Sequence, residues 1–384
     1  GLLVSARALQ GAFGALLAPA ALSLLTTTFT DPDERGKAFG IFGSIAGTGA
    51  ALGLLLGGVL TETLSWRWCL YVNLVIALPA AVFAFRLLTN QANPQRPRID
   101  VPGVLLATSG LFALVYGFSN SETHSWGHPL TIFMLAAAVV LLGSFLAVER
   151  RVAHPLLPLR VIGDRTRGGA YAAIGLAGIS MFALFLFLTY FLQRNLGFSP
   201  IQTGLAFLPL SAAIITTANI VSQRLLAKNG PRPHMVVGML LGAAAMLYLT
   251  QLDPGSSYAF GVLPALIVMG IGMGNIFPPA FQTATYGVDR ADTGVASAMV
   301  NTMQQVGGSI GTALLSSIFA SAVTSYSQGR APSPEVLQAA TVHGYTVAFW
   351  ISAAIFAVGA LVCGSLLPKG AVEVDPQAEP VLAH

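Results

Sequence analysis

GLLVSARALQGAFGALLAPAALSLL (residues 1–25), TTTFTDPDERGK (26–37) and AFGIFGSIAGTGAALGLLLGGVL (38–60) set the pattern of the whole chain. As an α-helix, each flanking run is long enough to cross about 30 Å of hydrocarbon. The segment between them collects Asp31, Asp33, Glu34, Arg35 and Lys37, whereas Arg7 is the only charge inside either run. The apolar stretches are continuous rather than alternating, which rules out the shorter, dyad-patterned strands of a lipid barrel.

Working outward, the same pattern predicts eleven spans: Gly1 to Leu25, Ala38 to Leu60, Cys69 to Leu88, Val101 to Phe118, Leu130 to Val148, Ala170 to Leu192, Ile201 to Val221, Met235 to Leu249, Tyr258 to Phe281, Val295 to Val323 and Tyr345 to Leu367. With 54% hydrophobic residues, 9% charged residues and a mean hydropathy of +0.72, the chain is far more apolar than soluble domains. The fold class expected is all-α and polytopic. Alternate loops then lie on opposite sides, one holding 15 of the 19 Lys and Arg residues and the other only Arg67, Arg194 and Arg330. By the positive-inside rule the basic side is cytoplasmic, which places the C-terminus inside in a multi-pass protein of the inner (plasma) membrane. The net charge of +4 comes from these loops, with no basic helix or interleaved aromatic face, so nucleic acid is not an expected partner. Cys69 and Cys363 fall near opposite faces and predict no disulfide.

The first two spans resemble the ninth and tenth. Gly11 and Pro19 match Gly270 and Pro278 at an offset of 259 residues, and Gly36, Gly49 and Gly53 match Gly294, Gly307 and Gly311 at 258. Both hairpins enter from the same side, as expected of parallel halves related by an axis along the membrane normal. The expected organisation is therefore residues 1–88 as the last three helices of an N-terminal half and 89–164 as an inserted helix pair with linkers. Residues 165–368 form a complete six-helix half, and 369–384 a short cytoplasmic tail. If the first three spans close a six-helix half as the ninth to eleventh do, three further helices are expected upstream of Gly1, which itself lies within a span, giving fourteen in all.

These residues resemble the fourteen-span drug:proton antiporters of the major facilitator superfamily. Arg7, Gln10, Gly11 and Gly14 are similar to the R-x-x-Q-G-x-x-G motif of the family's fourth helix. Phe29, Glu34, Arg35, Gly36 and Ala38 resemble the loop after it. Gly40, Gly49, Gly53, Gly57 and Gly58 resemble the antiporter motif of the next helix, with Leu54 at its proline position. Trp66, Arg67, Trp68 and Asn73 are similar to W-R-W-x-F-x-x-N, with Leu70 for Phe, and Gly197, Ser199, Pro200, Gly204 and Pro209 to G-x-S-P-x-x-x-G and the helix it opens. Arg224 through Gly230 and Arg232 resemble the second copy of the superfamily's basic loop motif.

For Arg7 the resemblance implies a part in proton coupling; snorkelling to headgroups is the alternative. No span contains an Asp or Glu, and Asp100 and Glu149 stand at span ends, where caps or interface contacts are expected. The row Gly49, Gly53, Gly57, with Gly58, and the pair Gly307 and Gly311 place small surfaces at four-residue steps along a helix face. A sliding seal between the halves and plain helix packing are both consistent with them. Gln10, Tyr190, Asn219, Asn275, Asn301 and Gln305 are the candidate substrate-binding residues, with Gln304, Phe182 and Phe185 beside them; amides and aromatic faces suit amphipathic molecules, and interhelical hydrogen bonds are the other use of such amides. Gly270, Gly272 and Gly274 lack the preceding strand of a dinucleotide fingerprint, and Glu122, His124 and His128 read as an exposed loop rather than a metal site. The expectation is a monomeric secondary transporter, not an enzyme and without cofactor, exporting small organic molecules against protons by alternating access. A proton-independent or importing transporter, and a non-transporting scaffold or sensor, are the alternatives.

Overall fold

A computed structural model of the chain describes residues 2–29, 31–87, 100–153, 155–289, 292–331 and 333–370. The loop with Arg96 and Arg98, Arg290, the tail beyond Gly370, and the side chains of Pro19, Asp33, Leu54 and Glu122 lie outside that description.

The described chain is helical throughout, without a strand. The helices are α1 (Leu2–Thr28), α2 (Pro32–Thr63), α3 (Trp68–Leu87), α4 (Val101–Thr123), α5 (Pro129–Glu149), the short α6 (Leu159–Gly163) and α7 (Arg165–Tyr190). They continue with α8 (Pro200–Ala206), α9 (Leu208–Ile220), α10 (Leu226–Asn229), α11 (Pro231–Leu249), α12 (Leu263–Thr285), α13 (Thr293–Ser327) and α14 (Pro334–Leu366). Ten segments among these are long and apolar enough to cross a membrane. The expected span Ala38 to Leu60 lies within α2, which has 32 residues but is not one of the ten.

Local sequence explains the helix ends. Asp100, Asp164 and Ser333 each accept a hydrogen bond from the main-chain N–H three residues on, and Ser199 forms a capping box with Gln202. Proline follows in the first turn of α4, α8, α11 and α14, where its missing N–H costs nothing. Gly230 separates α10 from α11 at φ +73°, a left-handed conformation that an L side chain resists.

Helices α7, α9, α11, α12, α13 and α14 pack together around a core of Phe187, Leu188, Phe191, Phe207, Met239, Phe281, Tyr345, Phe349 and Phe356. Helices α4 and α5 form a separate hairpin whose α4 rests on α13. Gly117, Gly110 and Gly103, seven residues apart on α4, face Leu135, Leu142 and Glu149, likewise seven apart on α5. Near the connecting turn, the buried Asn120 donates to Thr131 Oγ1 at 2.8 Å. Outward faces are apolar: Phe85 is 89% exposed and Phe260 81%. Each side chain of this kind would cost roughly 25 cal/mol per Å² in water and almost nothing in lipid.

Candidate functional site

Helix α2 lies along α8, α9 and α12, and glycines set how closely it approaches. A Cβ at Gly36 would stand 3.2 Å from the Ser222 carbonyl, at Gly40 2.9 Å from Ser222 Cβ, and at Gly58 2.6 Å from the Pro200 carbonyl oxygen. Gly204 of α8 is in turn pressed against the main chain of Leu55. Between backbones this close, dispersion does the work that the hydrophobic effect does in water. At one end the Ile201 N–H donates to Glu62 Oε2 at 3.4 Å. Toward the other, Phe42 meets Phe281 edge-on at 5.7 Å, and the Arg35 guanidinium carbon lies 5.4 Å from the Tyr286 ring centre.

The glycine row divides differently from the pattern expected. A Cβ at Gly49, Gly53 or Gly57 meets no described atom within 4 Å; among the four, only Gly58 lies in the seam. Gly307 and Gly311 pack against α7, where Gly307 touches the Gly175 carbonyl and a Cβ at Gly311 would stand 2.5 Å from that of Ile179. Their close approach therefore holds α13 to α7 and is not a contact with α2.

The polar candidates are spread over several helices. Arg7 donates to Gln10 Oε1 at 2.8 Å, one turn along α1, and both are exposed. Asn275 is buried; its amide donates to the Ile271 carbonyl at 2.9 Å, and its oxygen lies 3.3 Å from His234 Nδ1 on α11. Asn219 and Asn301 turn their amides to carbonyls one turn back on their own helices, Ile215 at 2.8 Å and Ser297 at 3.2 Å. Gln305 is exposed, and Tyr190 carries the Arg194 guanidinium 4.9 Å above its ring. The rings of His124 and His128 lie 4.8 Å apart, tilted by 42°, and no group of three or more His, Cys, Asp or Glu is placed to hold a metal among the described residues.

A second cluster, not singled out from sequence, joins α6 and the start of α7 to the α12–α13 turn. Arg160 meets Asp292 at 2.6 Å and Asp289 at 4.0 Å; the Arg160 side chain is 64% exposed, that of Asp292 only 9%. Arg167 spans the same turn, donating to the carbonyls of Val161, Arg160 and Gly287 at 3.2, 3.3 and 3.2 Å. Tyr171 donates to the Ala284 carbonyl at 3.1 Å. A sequence signal for this cluster exists: the repeat that aligns Gly36 with Gly294 also aligns Asp31 with Asp289 and Glu34 with Asp292. Arg35 of α2 and Arg160 of α6 thus both reach the α12–α13 turn, one by its Tyr286 ring and the other by its carboxylates.

Comparison with known proteins adds family context. Residues 1–312 match the family model described as Major Facilitator Superfamily. The chain is 48% identical over 370 residues to a puromycin resistance protein of Streptomyces alboniger, covering 96% of this chain and 72% of that one. It is 36% identical to a cephamycin export protein of Amycolatopsis lactamdurans, covering 98% of this chain and 77% of that one. With a tetracenomycin C resistance and export protein of Streptomyces glaucescens the identity is 32%, over 83% of this chain and 59% of that one.

Proposed function

Because this chain belongs to the major facilitator superfamily, a family of transport proteins and not enzymes, we propose that it exports small amphipathic organic molecules across the plasma membrane by proton antiport. The observation that carries an alternating-access reading is the seam: α2 follows α8, α9 and α12, held by glycine contacts at Gly36, Gly40 and Gly58 and by the Arg35–Tyr286 contact at one end. Shallow contacts between small residues let one packed body tilt on another without losing a large interdigitated interface. Helices α7 to α14, residues 165–368, act as one half and residues 1–88 as part of the other, with α4 and α5 an inserted pair. The uneven spread of Lys and Arg, 15 against 3, supports a cytoplasmic basic end and a cytoplasmic C-terminus.

Export is supported by the names of relatives, which concern resistance to or export of antibiotics. Arg7 is the proton-coupling residue in this reading, its guanidinium responding to the protonation of a carboxylate, and Gln10, Tyr190, Asn219, Asn275, Asn301 and Gln305 are the substrate-binding residues of a monomer. A membrane potential contributes about 2.3 kcal/mol per charge per 100 mV, enough to sustain a useful outward gradient. Flux of puromycin in proteoliposomes of the full-length protein tests the proposal. A pH gradient imposed across the membrane should accelerate movement in the export direction. Flux indifferent to that gradient favours a proton-independent or importing transporter, and no flux of puromycin, a cephamycin or other amphipathic molecules favours a scaffold.

A further inference from the structure

The α4–α5 hairpin carries an anomaly at its basic end. Its two seven-residue rows pair Gly117 with Leu135 and Gly110 with Leu142, but the third step pairs Gly103 with Glu149, where an apolar knob would continue the pattern. Glu149 is 4% exposed, and Asp100, the residue that caps α4, is 8% exposed. One oxygen of each carboxyl is anchored: Asp100 Oδ1 accepts from the Gly103 N–H at 3.0 Å, and Glu149 Oε2 from the Leu157 N–H at 3.0 Å. The other two, Asp100 Oδ2 and Glu149 Oε1, are buried without a hydrogen-bond partner. Both converge on the space above Gly103, where a Cβ would touch Asp100 Oδ2 and stand 2.7 Å from Glu149 Oε1, and the two carboxyls are within hydrogen-bond reach of each other.

No cation resolves this arrangement among the described residues. Arg150 and Arg151, next to Glu149, are exposed; Arg160 is paired with Asp292, the charge at the start of α13; and Arg167 is bound to Asp164 and to carbonyls. Arg96, Arg98 and His154 lie outside the described residues. Two facing buried carboxylates repel, whereas a single proton turns one orphan oxygen into a donor and satisfies the other as its acceptor.

We propose that Asp100 and Glu149 form a proton-binding site, holding one proton between them as a clasp that closes the basic end of the inserted hairpin and, through Leu157, tethers the segment leading to α6. Gly103 is the enabling residue, since any Cβ there would occupy the space in which the carboxyls meet. The clasp rests on the membrane reading of the chain but not on proton antiport. The proton is exchanged with solvent and no bond other than O–H forms or breaks. With the proton bound, the hairpin end is tied; as pH rises and the proton leaves, the pair repels and the tie is lost.

Infrared spectroscopy of the full-length protein in nanodiscs tests this. The wild type should show a protonated-carboxyl stretch at neutral pH that disappears at alkaline pH and is missing from both Asp100→Asn and Glu149→Gln. Thermal stability should fall with rising pH in the wild type and stay level in Glu149→Gln, whose amide donates permanently. A wild type with no such band at neutral pH overturns the proposal whatever the folding of the variants, and so does a band that survives in either variant that folds. Puromycin flux measured on the same samples separates the two readings, because a failure of pH-driven flux leaves the band untouched.

Discussion

The guanidinium of Arg35, at the start of α2, lies over the ring of Tyr286, just beyond the end of α12, with 5.4 Å from its carbon to the ring centre. This contact joins α2 to the α12–α13 turn, where Arg160, Asp289 and Asp292 also meet. A cation over an aromatic face contributes roughly 0.5–1 kcal/mol at an exposed site. Tyr286→Leu should loosen this end several-fold in population. Reactivity of a thiol at Ser222→Cys, in a background without Cys69 and Cys363, reports the change, because Ser222 is buried beneath Gly36 and Gly40. Unchanged labelling would show that the contact does not hold the seam.

Glycines of the same helix should respond in opposite ways. Gly58→Val drives a side chain into the Pro200 carbonyl and should cost about 1–3 kcal/mol of overpacking strain, with transport reduced. Gly53→Ala meets open space and should be neutral, or stabilising by up to ~1 kcal/mol through helix propensity. Thermal unfolding of the two variants side by side checks the contrast.

Loss of the Arg160 charge should matter more than loss of Asp289. Arg160→Gln leaves the nearly buried Asp292 carboxylate without its 2.6 Å partner, a penalty of about 1–3 kcal/mol. Asp289→Asn removes an exposed group 4.0 Å away, and exposed pairs contribute about 0–1 kcal/mol. Melting temperatures in detergent should rank the variants in that order.

If Arg7 serves proton coupling, Arg7→Ala should lower pH-driven flux at least tenfold, about 1.4 kcal/mol in barrier, while substrate binding persists. Arg7→Lys keeps the charge but not the guanidinium geometry that reaches Gln10, and should fall between. Flux that Arg7→Ala leaves intact assigns the residue to snorkelling.

The sequence by itself determined the helical class and most of the membrane spans, but not every helix end: α14 begins at Pro334, well before the expected Tyr345. A chain in hydrocarbon must satisfy its own backbone, so apolar runs of span length become helices whatever surrounds them. Caps such as Asp100 and Ser199 act within three residues of themselves and are equally legible. Family membership was legible as well, since the motifs that carry it are local strings such as Arg7 to Gly14. Which residues touch was decided only by the tertiary structure. Adjacent residues point about 100° apart around a helix, so nothing local distinguishes Gly57, beside open space, from Gly58, beneath Pro200. The same holds for Asn275, whose partner His234 lies on another helix, and for Arg160 and Asp292, 132 residues apart. It holds also for Asp100 and Glu149: each reads as an ordinary helix end, and only the packing of α4 on α5 brings their free oxygens over Gly103.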